Sequence, residues 1–254
     1  MPSDRPVVII TGASRGIGAA CARALSPKAN LVLGARSDSA LEATAKQCSA
    51  QGAKVKTVIA DVARNESACA LADMAQKTFG RIDAVIANAG ILTPIGPLES
   101  CDAQAIEYSF AVNIAGPTLL AKATLPALRA SKGRLINVSS GAANGVIRGW
   151  ATYCAAKAAL NHLTRVIAAD APQITAIAFS PGMTDTDMQA QIRDPKNEGM
   201  PAEERSFFQR AHAENGLRDP TEVGKALAAL ALFAKKEWSG EYIDITDPRI
   251  PPLN

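Results

Sequence analysis

Apolar residues recur along the chain in two alternating rhythms. Short, nearly continuous runs of Val, Ile, Leu and Ala stand at Val7–Ile10, Leu31–Leu33, Val55–Ala60, Ile82–Ala87, Arg134–Val138, Ile174–Phe179 and Tyr242–Ile245. Such runs suit strands covered on both faces. Between them lie longer, Ala-rich, helix-spaced stretches at about Gly16–Leu25, Ala40–Ala50, Glu66–Phe79, Asp102–Arg129, Ala151–Asp170 and Thr221–Lys236. Gly52 and Gly80 stop two of them. The region 184–216 is polar and broken by Pro195, Gly199, Pro201 and Gly216, which predicts two short helices in a mobile flap.

Strands alternating with helices of this length predict an α/β fold: a doubly wound parallel sheet with helices on both faces. No repeat, linker or low-complexity tract divides the 254 residues, so the expectation is one domain over 1–254. The ligand of such a sheet lies at the carboxyl ends of its strands.

Composition narrows the chemistry mainly by exclusion. Lys plus Arg number 27 against 24 Asp plus Glu, with no long basic run, so neither nucleic acid nor a membrane surface is expected as a partner. The longest apolar run, Ala226–Ala234, falls far short of the ~20 residues of a membrane span. Cys21, Cys48, Cys69, Cys101 and Cys154 form no CxxC pair and are odd in number, which reads as reduced thiols in a cytoplasmic protein. With only His162 and His212, no metal site is expected.

Chemistry gathers first at the amino end. The strand Val7–Ile10 runs into Thr-Gly-Ala-Ser-Arg-Gly-Ile-Gly, Thr11 to Gly18, and then into a helix. Gly12, Gly16 and Gly18 allow a tight turn that brings backbone N–H groups and a helix N-terminus to a pyrophosphate, with Ser14, Arg15 and Ile17 beside it.

This opening resembles the short-chain dehydrogenase/reductase family, and the resemblance continues over nearly the whole chain. Asp61-Val62 matches the pair that contacts adenine, Asn88-Ala89-Gly90 the family's N-A-G stretch (with Ala87 where its preceding Asn usually stands), and Pro181-Gly182-Met183-Thr184-Asp185-Thr186 the P-G-x3-T segment near the nicotinamide. The resemblance implies a Rossmann-type fold, an oxidoreductase, and a homodimer or homotetramer.

Tyr153 and Lys157 are four apart on one predicted helix and share a face. Ser140 stands thirteen residues before Tyr153, and Asn113 twenty-seven before Ser140, spacings that match the family's Asn–Ser–Tyr–Lys tetrad. A carbonyl that accepts hydride needs a proton, and a free phenol, with its pKa of about 10, gives one up slowly at pH 7. A neighbouring Lys157 ammonium is expected to lower that pKa, while Ser140 polarises the carbonyl. Asn113 either holds a water linking Lys157 to solvent or simply caps or kinks its helix.

The second strand ends Ala35-Arg36-Ser37, with no acid to accept from a ribose hydroxyl. Arg36, with Arg15, offers a planar fork to a 2′-phosphate, so NADP(H) is the expected cofactor. Gly149-Trp150, Ala156–His162 and Ser239-Gly240-Glu241-Tyr242 resemble the sepiapterin reductase and fungal benzil reductase branch. That resemblance implies reduction of a vicinal dicarbonyl. Trp150 and Met183 are expected at the substrate, as is Asp244 as an anchor for pterin N–H groups; a structural Asp244 is the alternative. Two other functions stay open: an oxidoreductase of secondary metabolism acting on a different ketone or alcohol, and a non-catalytic NADP(H)-binding regulator.

Overall fold

In the computed structural model, residues 4–196 and 199–253 are described. The strands β1 (Val7–Thr11), β2 (Asn30–Ala35), β3 (Val55–Ile59), β4 (Ala84–Ala87), β5 (Arg134–Val138), β6 (Thr175–Ser180) and β7 (Tyr242–Asp244) form one sheet in the order β3-β2-β1-β4-β5-β6-β7. Every pairing is parallel. The order reverses between β1 and β4, and the splayed connections there leave a crevice at the carboxyl ends of the strands.

The strand period assigns alternate residues to two apolar layers. Val8 and Ile10 of β1 pack with α1 (Gly16–Leu25), α2 (Asp38–Ala50) and α9 (Pro220–Phe233) through Leu25, Leu41 and Leu227. Val7 and Ile9 pack on the other face with α3 (Asn65–Phe79), α5 (Gly116–Ser131) and α6 (Ala151–Asp170) through Leu71, Leu120 and Ile167. Each such aliphatic side chain contributes about 1.5–3 kcal/mol by leaving water. β3 departs from the expected two-sided burial: it is an edge strand, and Ile59 is 55% exposed.

The expected long helix 102–129 is two helices joined by a bulge. α4 (Ala103–Phe110) starts where the Asp102 carboxylate accepts the Ala105 N–H at 2.8 Å. A π turn over Ala111–Ala115 then carries Asn113 before α5 begins. Such bulges concentrate at functional sites because they re-aim side chains. At the carboxyl end, α9 stops at Phe233, short of Lys236, and a 3-10 turn over Lys236–Trp238 follows.

The flap carries α7 (Asp187–Arg193) and α8 (Ala202–Ala213). Asn197 and Glu198, within the expected flap, lie outside the described residues. The flap's ends are pinned together: the Arg218 N–H donates to the Met183 carbonyl (2.8 Å) and the Asp185 N–H to the Arg218 carbonyl (2.9 Å). Among the described residues no helix is long and apolar enough to cross a membrane.

Candidate active site

A cleft of about 720 Å³ runs along the carboxyl ends of the strands, from Arg36 to Tyr153 and Lys157. Its floor is the glycine loop. Gly12 has φ +65°, a conformation most side chains avoid. A Cβ on Gly18 would lie 2.3 Å from the Gly12 carbonyl oxygen, so only glycine lets α1 start this close to the loop. The loop is braced from β4: the Asn88 side-chain amide donates to the carbonyls of Thr11 (2.9 Å) and Gly12 (3.3 Å). The Thr11 hydroxyl accepts the N–H groups of Asn88 and Ala89. Ser14, Gly16, Ile17, Asn88, Ala89 and Gly90 line the cleft, and Gly18 lies beneath it. The residues present therefore fit a dinucleotide: a glycine cradle with no room for a Cβ at Gly12 or Gly18, facing a helix N-terminus.

At the far end, β2 delivers Arg36 and Ser37, and β3 is followed by Asp61 and Val62; all four line the cleft. Arg36 donates from Nη1 to the Tyr108 hydroxyl at 2.9 Å, and that hydroxyl lies 3.4 Å from the Asp61 carboxylate. Tyr108, on α4, was not foreseen, because a helix position two strands away in sequence carries no local mark of the cleft. Arg15, expected to join Arg36 as a second cation, lines the same cleft and pairs with Asp187 of α7 at 2.5 Å.

At the other end, α6 brings Tyr153 and Lys157 onto one buried face, and the chain leaving β5 sets Ser140 beside them. Ser140 Oγ accepts the Ala142 N–H at 3.1 Å and lies near enough to the Tyr153 hydroxyl to pull its pKa down. Lys157 Nζ donates to the Val138 carbonyl at 2.7 Å and sits 5.6 Å from the centre of the Tyr153 ring. The expected lowering of the Tyr153 pKa is not what this geometry produces. Burial dominates and pushes the phenol up to about 12, against a smaller downward pull from the Ser140 hydroxyl. Burial likewise brings Lys157 down to about 8.

Asn113 is fully buried, and both ends of its amide are taken. Oδ1 accepts the Ile91 N–H (3.1 Å), while Nδ2 donates to the Ile91 carbonyl (2.8 Å) and to Ser109 Oγ (3.3 Å). Its side chain thus clamps the loop after β4. The Ser139 hydroxyl, which also lines the cleft, donates to Asn161 Oδ1 at 2.6 Å.

Beside Tyr153 lies an apolar cluster that holds Trp150 and Met183; Met188, rather than either of them, lines the cleft. Trp150 meets the Tyr153 ring edge-on, 5.8 Å between centroids, and stacks on Phe208 of α8 at 5.3 Å. Met183 packs against this cluster. Pro181 and Thr186 line the cleft beside it, while Gly182 and Thr184 sit just behind, the Thr184 hydroxyl donating to the Pro181 carbonyl. Asp244 does not reach the cleft. Its carboxylate closes a local turn, accepting the Thr246 N–H (3.0 Å) and hydroxyl (2.8 Å). Among the described residues no cluster of His, Cys, Asp and Glu could hold a metal.

The model of the family described as short chain dehydrogenase matches residues 6–197. The chain is 31% identical to a benzil reductase, (S)-benzoin forming, of Saccharomyces cerevisiae, over 97% of this chain and 98% of that one. It is 33% identical to the sepiapterin reductase of Meriones unguiculatus, over 95% and 96%. A crystal structure of a short-chain dehydrogenase/reductase from Saccharomyces cerevisiae superposes with a TM-score of 0.91 at 31% identity, covering 96% of this chain and 98% of that one. With the glycine cradle, the Ser140–Tyr153–Lys157 cluster and these likenesses in agreement, the chain belongs to the short-chain dehydrogenase/reductase family of oxidoreductases, which bind a nicotinamide cofactor, in the branch that holds benzil and sepiapterin reductases.

Proposed function

We propose that this protein is an NADPH-dependent carbonyl reductase acting on a vicinal dicarbonyl, either an aromatic diketone or a pterin side-chain ketone. The observation that carries the reading is the cleft itself. One end holds Arg36 where an acid would select NAD, and the other holds Tyr153 and Lys157, with Trp150 packed edge-on behind the Tyr153 ring.

The bound reduced nicotinamide supplies the hydride. Tyr153 delivers its hydroxyl proton to the carbonyl oxygen as the carbon is reduced, so ketone, hydride and proton balance to an alcohol. A phenol held near pKa 12 keeps its proton throughout the neutral range, which suits donation better than abstraction. Ser140 donates a hydrogen bond to the same oxygen. Lys157, charged below about pH 8, stabilises the phenolate left behind and would hold the ribose hydroxyls of the cofactor. Arg36 gives the 2′-phosphate charge-assisted hydrogen bonds worth about 1.5–3 kcal/mol each, a preference of about ten- to a hundredfold. Trp150 and Phe208 exclude water around the reacting carbonyl. The relatives' names favour this substrate class over a ketone of secondary metabolism, and the intact Ser140, Tyr153 and Lys157 favour turnover over a non-catalytic regulator. We also infer a homo-oligomer, to be tested by mass in solution.

A panel of benzil, a pterin ketone, a steroid ketone and a polyketide-like ketone, each with NADPH and with NADH, tests the reading. Preferred turnover of the first two with NADPH supports it. Selective turnover of the last two, or of none, removes it.

A further inference from the structure

We propose that Tyr108 is a positioning residue for Arg36 and through it sets the choice of NADPH over NADH; this rests on the NADPH reading above. Arg36 follows β2, Asp61 follows β3 and Tyr108 comes from α4, three elements that meet at one end of the cleft. The Tyr108 hydroxyl accepts from Arg36 Nη1 at 2.9 Å and lies 3.4 and 3.5 Å from the two Asp61 oxygens, toward which its own proton is directed.

This arrangement does two things for a phosphate ligand. First, an exposed arginine loses rotamer freedom when it grips a ligand, and one already held loses less. The hold uses Nη1 and leaves the Nε–Nη2 edge, the side that takes two phosphate oxygens in parallel. Second, the phenol stands between a guanidinium and a carboxylate that otherwise attract each other. With the hydroxyl gone, Arg36 is free to fold onto Asp61, which neutralises it and sets a negative charge near the phosphate. Tyr108 is only partly buried, so removing one oxygen leaves the core untouched.

The test is binding of 2′,5′-ADP and of 5′-AMP, which differ by the 2′-phosphate and need no turnover. In Tyr108→Phe, 2′,5′-ADP is expected to weaken about three- to tenfold, the effect of one lost hydrogen bond. 5′-AMP is expected to change by less than about twofold, whereas a merely structural effect of Tyr108 would weaken both ligands alike. In the Arg36→Ala background the same substitution is expected to leave 2′,5′-ADP within about twofold, since a residue acting through Arg36 has nothing left to act on. If the unsubstituted protein prefers 2′,5′-ADP and Tyr108→Phe keeps the full preference, or still erodes it without Arg36, the positioning role is overturned while the NADPH reading stands. If the unsubstituted protein shows no preference, the NADPH reading falls and the role falls with it.

Discussion

Arg15 of the glycine loop and Asp187 at the start of α7 meet at 2.5 Å, joining the phosphate cradle to the substrate flap across the mouth of the cleft. Both side chains are about 70% exposed, and such pairs are worth only about 0–1 kcal/mol, so the clasp opens cheaply. An arriving phosphate competes with Asp187 for Arg15. The flap is therefore expected to loosen or re-close with ligand. Amide exchange across Thr184–Gly216 should slow on saturation with NADPH and a ketone, and Asp187→Ala should speed it in the free protein. Unchanged exchange on saturation would contradict the lid.

Lys157 predicts an exchange of stability for function. Burial holds its pKa near 8, below the ordinary lysine value of 10.5. Below pH 8 the fold therefore carries a charge that the unfolded chain holds more comfortably. Between 8 and 10.5 the unfolded state binds more protons, so this penalty fades as pH rises. Lys157→Met should lose nearly all turnover yet raise Tm at pH 7, by about 2–4 °C for each kcal/mol relieved, with the gain shrinking toward pH 10. A lower Tm at pH 7 would show that the bond to Val138 outweighs the burial cost.

The cofactor preference is expected to rest on Arg36. Arg36→Ala should raise KM for NADPH about tenfold or more and that for NADH little, with kcat less affected, because the contact is remote from the reacting atoms. Equal KM values for both cofactors in the unsubstituted enzyme would contradict the assignment.

Most of the fold was legible because each signal was local. Val7–Ile10 followed by Gly12, Gly16 and Gly18 announces strand, loop and helix in one stretch, and Tyr153 with Lys157 shares a helix face by spacing alone. What escaped was non-local or a matter of environment. The π turn at Asn113 has no proline or glycine within it; Gly116-Pro117, just after it, fits the start of a new helix equally well. Tyr108 becomes relevant only when α4 packs beside the ends of β2 and β3. The upward shift of Tyr153 depends on its burial in the folded chain, in a cluster that also draws on Leu92 and on Phe208 of α8.

Asp244 is expected to be structural. Burial raises its pKa, but the hydrogen bonds from Thr246 and the charge of Arg218 outweigh that and hold it below the usual carboxylate range. It stabilises the fold above that range, and the contribution is lost as pH falls through it. Asp244→Asn should lower Tm at pH 7, with the gap closing in acid, and should change KM for a pterin ketone and an aromatic diketone equally. A KM rise confined to the pterin would restore it as a substrate anchor.

The proton donor tests the account most directly. Tyr153→Phe keeps the ring against Trp150 and removes only the hydroxyl. Turnover of benzil with NADPH should fall about 10²–10⁴-fold, while the Kd for NADPH, measured by titration on the same preparation, stays nearly unchanged. A variant that keeps more than about a tenth of the unsubstituted kcat, far above what loss of a general acid allows, would contradict the assignment of Tyr153 as the group that completes the reduction.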